Sequence, residues 1–140
     1  MKIMAIDYGD ARTGVAVSDR TLSLCGFAAV ITAYRPEKVI EALLPLIAEH
    51  GVTELVLGHP INMDGTRGPR AEKAEAFAEQ LREASGLNVV LWDERRTTID
   101  AHNILSGSGK RAKEHKKTVD AVAASLMLEG YLTYRKRVLH

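Results

Sequence analysis

One cysteine among 140 residues leaves no internal disulfide. Cys25 lies among apolar neighbours and reads as a buried, inert thiol in a reducing compartment. Long apolar runs are missing too, and none approaches the ~20 residues a membrane-spanning helix needs. The chain enters a strand pattern at once, without the positive start and apolar stretch of a signal peptide, so the cytoplasm is the expected location. No charge of one sign dominates: Lys+Arg 19 against Asp+Glu 18 gives a formal net charge of +1, which argues against a histone-like blanket binder. Aromatics make up only 5%, so a nucleic-acid partner would be held by backbone and shape rather than by base readout. Repeats, low-complexity tracts and linker-like stretches are absent as well. A single domain over 1–140 is expected, long enough to bury a core.

What is present is uneven. The run Lys110-Arg-Ala-Lys-Glu-His-Lys-Lys117 and the tail Arg135-Lys-Arg137 are basic, while acids collect around Glu72–Glu83. Such clustering is either an electrostatic footprint for a polyanion or a solvated loop. Five strands stand out by β-branched and apolar content: Lys2–Asp7, Gly14–Ser18, Phe27–Thr32, Glu54–Gly58 and Asn88–Trp92. The first three follow one another closely and form an antiparallel meander. Helical spacing then appears from Pro36, with Val39, Ile40, Leu43, Leu44 and Ile47 on one stripe, Pro45 as an expected kink and Gly51 as the stop. A second helix opens at Pro69 and runs to about Ala84. Thr97 or Thr98 could cap a short helix to about Leu105, and a last helix covers Thr118–Arg135 after the break Ser106-Gly-Ser-Gly109. Strands separated by helices pair in parallel through right-handed crossovers, which makes this an α/β chain with a mixed sheet.

The segment Ile3–Asp19 carries the strongest chemical signal. An apolar strand ends on Asp7, a glycine turn follows, and a second strand returns from Gly14. Read alone, Asp7 either caps a hairpin turn or presents a rigid carboxylate to a phosphate and a hard cation such as Mg²⁺ or Mn²⁺. Sites in open α/β sheets form beyond the carboxyl ends of the strands. Asp7, Gly58-His-Pro60 and Asp93-Glu94 all fall there, and Asp120 is expected in the first turn of the last helix. With ~4.8 Å between neighbouring strands, the ends of strands one and five lie roughly 10 Å apart if strand four separates them. Asp7 and Glu94 then share a site only if the loop after Trp92 curls inward. Side chains of adjacent strand residues point to opposite faces, so one of Asp93 and Glu94 is a ligand, and the longer Glu94 is favoured. Arg12, Arg67, Arg70, Arg95 and Arg96 are candidates for bidentate phosphate contacts, each with an ordinary salt bridge as the alternative. Tyr8 is placed to touch substrate, and Trp92 to pack in the core.

The segments Ile6-Asp-Tyr-Gly-Asp-Ala-Arg-Thr-Gly-Val-Ala-Val-Ser-Asp19, Gly58-His-Pro-Ile-Asn-Met-Asp-Gly65, Trp92-Asp-Glu-Arg-Arg-Thr-Thr98 and Val119-Asp-Ala-Val-Ala-Ala-Ser125 resemble the motifs of the YqgF (RuvX) family. These are small bacterial ribonuclease H-like proteins described as Holliday junction resolvases and as nucleases maturing the 5′ end of pre-16S ribosomal RNA. The resemblance covers nearly the whole chain, with four motifs in order. It implies a ribonuclease H-like fold, a five-stranded mixed sheet of order 3-2-1-4-5 flanked by helices. It also implies a hydrolase in which Asp7, Glu94 and Asp120 are the catalytic, metal-binding acids of a two-metal Mg²⁺ or Mn²⁺ site, lined by the loop holding Asn62 and Asp64. Tyr8, Arg12, Arg67, Arg95, Lys110, Lys113, Lys116 and Lys117 would contact the substrate. Family members commonly carry an apolar residue where His59 stands, which either lines the site or is an incidental substitution. Bacterial junction resolvases of the superfamily carry an acid at the end of strand four, and its absence here favours structured RNA over branched DNA. A resolvase would require a symmetric dimer to cut two strands in concert, which leaves a homodimer open. The rivals are a non-catalytic RNA-binding or transcription factor on the same fold, and a nucleotide-binding fragment of the actin and sugar-kinase type.

Overall fold

The computed structural model describes residues 1–93 and 112–139, with side chains for 1–93 and 120–138. Strands β1 (Lys2–Asp7), β2 (Arg12–Ser18) and β3 (Cys25–Thr32) form the expected meander. Helix α1 (Pro36–His50), β4 (Val52–His59), α2 (Pro69–Ser85), β5 (Val89–Asp93) and α3 (Ala112–Leu139) follow. One five-stranded sheet runs β3-β2-β1-β4-β5, antiparallel through β3, β2 and β1 and parallel through β1, β4 and β5. This is the mixed 3-2-1-4-5 sheet that the sequence implied.

Strand β1 lies at the centre because it is apolar on both faces: Ile3, Met4, Ala5 and Ile6 are all fully buried. Successive side chains alternate between the faces, and each face meets a different layer. Met4, Ile6, Val15, Val17, Leu55 and Leu57 pack under α1 and α2, against Leu43, Phe77 and Leu81. Ile3, Ala5, Ala16, Val56 and Trp92 pack under α3, against Ala124, Met127, Leu128 and Leu132. Tyr131 fixes the far end of α3. Its ring meets Trp92 edge-on at a centroid distance of 5.5 Å, and its hydroxyl donates to Glu54 Oε2 at 2.9 Å. Burial, and then the hydrogen bond to Glu54, push that hydroxyl up to about 12. Helix α1 passes Pro45 and ends at Gly51, whose φ of 65° is the left-handed geometry that favours glycine.

Two expectations need correcting. The last helix begins at Ala112 rather than Thr118, so Lys113, Lys116 and Lys117 belong to its backbone instead of a loop. Asp120 therefore sits more than two turns inside α3, beyond the reach of the helix N-terminal dipole. Alanine, lysine and glutamate have high helix propensity, and that extends α3 through a run with little apolar periodicity. Cys25 is half-buried rather than buried, with its thiol 3.2 Å from the Phe27 carbonyl and 3.5 Å from Ser125 Oγ. The expected helix at 98–105, the glycine break after it, and the site candidates Glu94, Arg95 and Lys110 lie outside the described residues.

Candidate active site

Parallel pairing brings the carboxyl ends of β1, β4 and β5 to one edge. Ile6 pairs with Leu57, Gly58 with Trp92, and His59 with Asp93. Asp7 follows Ile3 and Ala5 on the α3 face, and its Cα partner on β2 is Gly14. Directly paired residues project to the same face. At Gly14 the sheet meets α3 so closely that a Cβ would lie 2.3 Å from the Asp120 carbonyl oxygen and 3.3 Å from Ala124 Cβ. Glycine is what lets the helix backbone approach. Asp7 and Asp120 thus come from elements in direct contact, with Gly14 between them.

Arg12, at the start of β2, shares that face. Its Nε donates to Asp120 Oδ2 at 3.3 Å, and both side chains are about a third exposed. A pair this exposed contributes little to stability, on the order of 0.2–1 kcal/mol. Its value is positional, because it turns the Asp120 carboxylate toward β2. Asp93 lies on the other face, since Val90 and Trp92 pack under α3 while Val89 and Leu91 pack under α2. Strand alternation therefore separates Asp93 from Asp7 and Asp120. Among the described residues no three His, Cys, Asp or Glu side chains converge as a metal cluster, and Glu94 is outside that set.

The α2 face of the same edge is organised differently. Tyr8 stacks on Phe77 with centroids 4.1 Å apart and planes 7° from parallel. One ring face is thereby committed to the core. Burial, with Asp10 and Glu37 nearby, raises the Tyr8 hydroxyl above its ordinary value and keeps it a neutral donor. The loop after β4 is closed by its own polar groups. Asn62 Nδ2 donates to Thr66 Oγ1 at 2.9 Å, and Asp64 Oδ1 accepts from Thr66 N and Oγ1 at 3.0 and 2.7 Å. Asn62 and Asp64 shape the loop, while Met63 at its tip is 87% exposed.

Glu75 on α2 anchors the end of that loop. It accepts from two Arg67 nitrogens, Nε at 2.8 Å and Nη2, and from His59 Nε2 at 2.7 Å. An ionised carboxylate only accepts, so the His59 proton facing it sits on Nε2. Hydrogen bonds from Arg67, then from His59, lower the Glu75 carboxyl from 4.5 to about 2. A lowered carboxyl stabilises the fold above its unfolded value and stops doing so as pH falls through the folded one. Urea unfolding should therefore show Glu75→Gln less stable than wild type near neutrality, with the difference shrinking between pH 4.5 and about 2. A difference that stayed constant across that window would remove this role from Glu75.

Sequence reasoning missed the His59–Glu75–Arg67 cluster because Glu75 was read only as part of an acidic stretch. The pairing of Arg67 with Glu75, eight residues on, depends on how the β4–α2 loop folds back. Lys113, Lys116 and Lys117 lie on α3 one to two turns before Asp120.

The family model described as "RuvX: Holliday junction resolvase" matches residues 1–134. The chain belongs to this family. Relatives named "Putative pre-16S rRNA nuclease" include one from Desulfitobacterium hafniense, 44% identical over 135 residues, covering 96% of this chain and 93% of the relative. Another, from Halothermothrix orenii, is 41% identical and covers 99% of each chain. Among solved structures, RuvC of T. thermophilus in complex with a Holliday junction superposes with a TM-score of 0.63 at 12% identity, covering 96% of both chains. At that identity the likeness is one of fold, and the fold is ribonuclease H-like. The names carried by the family and its relatives are those of nucleases, which are hydrolases. Among the described residues no helix is long and apolar enough to cross a membrane.

Proposed function

We propose that the chain is a metal-dependent phosphodiester hydrolase of the cytoplasm that processes the 5′ end of pre-16S ribosomal RNA. The observation that carries this reading is the approach of Asp120 to Asp7 across Gly14, at the carboxyl edge of the central strand. The donor set suits a hard divalent cation, because both groups are carboxylates and Asp120 already holds positive charge, the Arg12 guanidinium, at 3.3 Å. Asp7, Glu94 and Asp120 would hold Mg²⁺ or Mn²⁺. When bound, such a pair of ions supplies an activated water and neutralises charge on the leaving oxygen.

The chain's own groups do the rest. Strand β1 holds Asp7 rigidly, since the residues before it are fully buried. Arg12 orients Asp120. Arg95, Lys110, Lys113, Lys116 and Lys117 would supply positive charge to the substrate phosphates. Asp93 faces the other side of the sheet, which leaves Glu94 as the acid of that pair for the site.

Structured RNA is the preferred substrate. His59 is engaged with Glu75 at the end of β4, where a junction resolvase would place an acid. Branched DNA is the second reading, favoured by the family's description as a Holliday junction resolvase. A precursor 5′ extension of 16S RNA and a four-way DNA junction, each with Mn²⁺ or with chelator, separate the two. Chelator-sensitive cleavage of the RNA is expected. Cleavage of the junction with the RNA left intact would favour the second reading, and cleavage that survives chelation would remove the metal site.

A further inference from the structure

A cavity of about 80 Å³ opens on the α2 face of the edge that carries Asp7, lined by Tyr8, Gly9, Asp10, Pro60, Arg70 and Lys73. A cavity needs only ~10–15 Å³ to hold one water, so this one admits a tetrahedral oxyanion. Two cations line it from successive turns of one helix. Arg70 and Lys73 are spaced i, i+3 on the first turns of α2, which places them as neighbours on its surface. Arg70 is exposed and has no hydrogen-bond or ion-pair partner among the described residues. Lys73 meets Asp10 at 3.4 Å, with both side chains well exposed, a contact that a stronger anion can displace. By contrast, Arg12 is committed to Asp120 and Arg67 to Glu75. The charged groups facing the cavity are thus two cations and one acid.

We propose that this cavity is a second anchoring point for the substrate strand, taking a backbone phosphate that flanks the one cleaved at Asp7. The proposal rests on the nuclease reading above and adds a binding subsite to it. Asp7 and Tyr8 are consecutive residues on opposite faces of the sheet, so a strand passing over the edge meets the carboxylates on one side and Arg70 and Lys73 on the other. Arg70 supplies a planar fork matched to phosphate oxygens, and Lys73 a point charge. Grip on a phosphate carries no base preference, which suits a chain poor in aromatics.

The test measures affinity for a fluorescent structured RNA in chelator, using Asp7→Asn protein so that no cleavage intervenes. Adding Arg70→Gln and Lys73→Gln should weaken binding at low salt. It should also flatten the plot of log affinity against log salt by about 0.7–0.9, the share of one phosphate contact. Lys38→Gln, on α1 and paired with Glu41, should change neither quantity. Circular dichroism checks that the exposed substitutions leave the fold intact. An unchanged slope with intact binding would overturn the subsite while leaving the nuclease reading in place. Cleavage by Asp7→Asn in the presence of Mn²⁺ would remove Asp7 from the metal site, and no cleavage by the wild-type chain would overturn the nuclease reading whatever the slope does. Failure of the Asp7→Asn protein to bind RNA at all would overturn the subsite.

Discussion

Asp7→Asn is expected to lower the rate of metal-dependent cleavage by about a thousandfold or more, a loss of about 4 kcal/mol in transition-state stabilisation. Asparagine keeps the shape of the side chain and removes its charge. The amide offers one neutral oxygen where the carboxylate offered two anionic ones, so its hold on a hard divalent cation falls steeply. The fold should not notice. Asp7 is the last residue of β1 and half-buried, and the strand is held by Ile3 to Ile6, all at 0% exposure. Cleavage assays and thermal unfolding on one preparation make the comparison. Activity within tenfold of wild type would mean that Asp7 is no ligand. A fall in activity matched by unfolding would mean that its role is structural.

The second large effect is expected at Gly14. A methyl group there would sit 2.3 Å from the Asp120 carbonyl oxygen and 2.9 Å from its carbon, both backbone atoms of a helix with no rotamer to yield. Gly14→Ala must therefore push α3 off the sheet or bend β2. Overpacking of this kind costs about 1–3 kcal/mol, and sometimes more. For a chain of this size each kcal/mol lowers the melting temperature by roughly 2–4 °C. The activity should suffer beyond the stability loss, because Asp120 moves with the helix and a displacement of ~1 Å can cost on the order of a hundredfold. Gly51→Ala is the matching control. It strains a left-handed helix cap with no atom within 4 Å of the new Cβ, so it should cost about 1–2 kcal/mol without touching cleavage. Full activity in Gly14→Ala at a temperature where it is folded would show that the position of Asp120 is unimportant.

The sheet was legible in the sequence because its signals are local. Strands β1 and β4 carry apolar runs bounded by turns, and the helices between β3 and β5 force parallel pairing. The strand ends were less legible. Arg12 and Thr13 look like turn residues, yet β2 extends to them because β3 continues to Thr32 opposite. Partnership across the sheet set that boundary, and no window around Arg12 contains it. The start of α3 failed for the opposite reason: a charged run carries helix propensity without amphipathic spacing.

At the site, Asp7 was legible from its strand, and Asp120 from its motif. Their juxtaposition was not, since it depends on the absence of a side chain at Gly14, a hundred positions from its neighbour. Asn62, Asp64 and Arg67 were read for substrate contact alone, and their contacts also hold a loop together, which no local window shows. Arg70 and Lys73 carried a spacing that sequence could have shown, but the cavity they line needs Tyr8 and Pro60, the residues that follow β1 and β4.

Helix α3 covers one face of the sheet as a separate layer, and Asp120 rides on it while Asp7 belongs to the central strand. The two acids therefore belong to units that can open independently. A transient lifting of α3 would dismantle the carboxylate pair while the sheet and its α1–α2 layer stayed intact. Amide exchange in α3, measured against exchange in β1, would report how often the protein is folded and yet switched off.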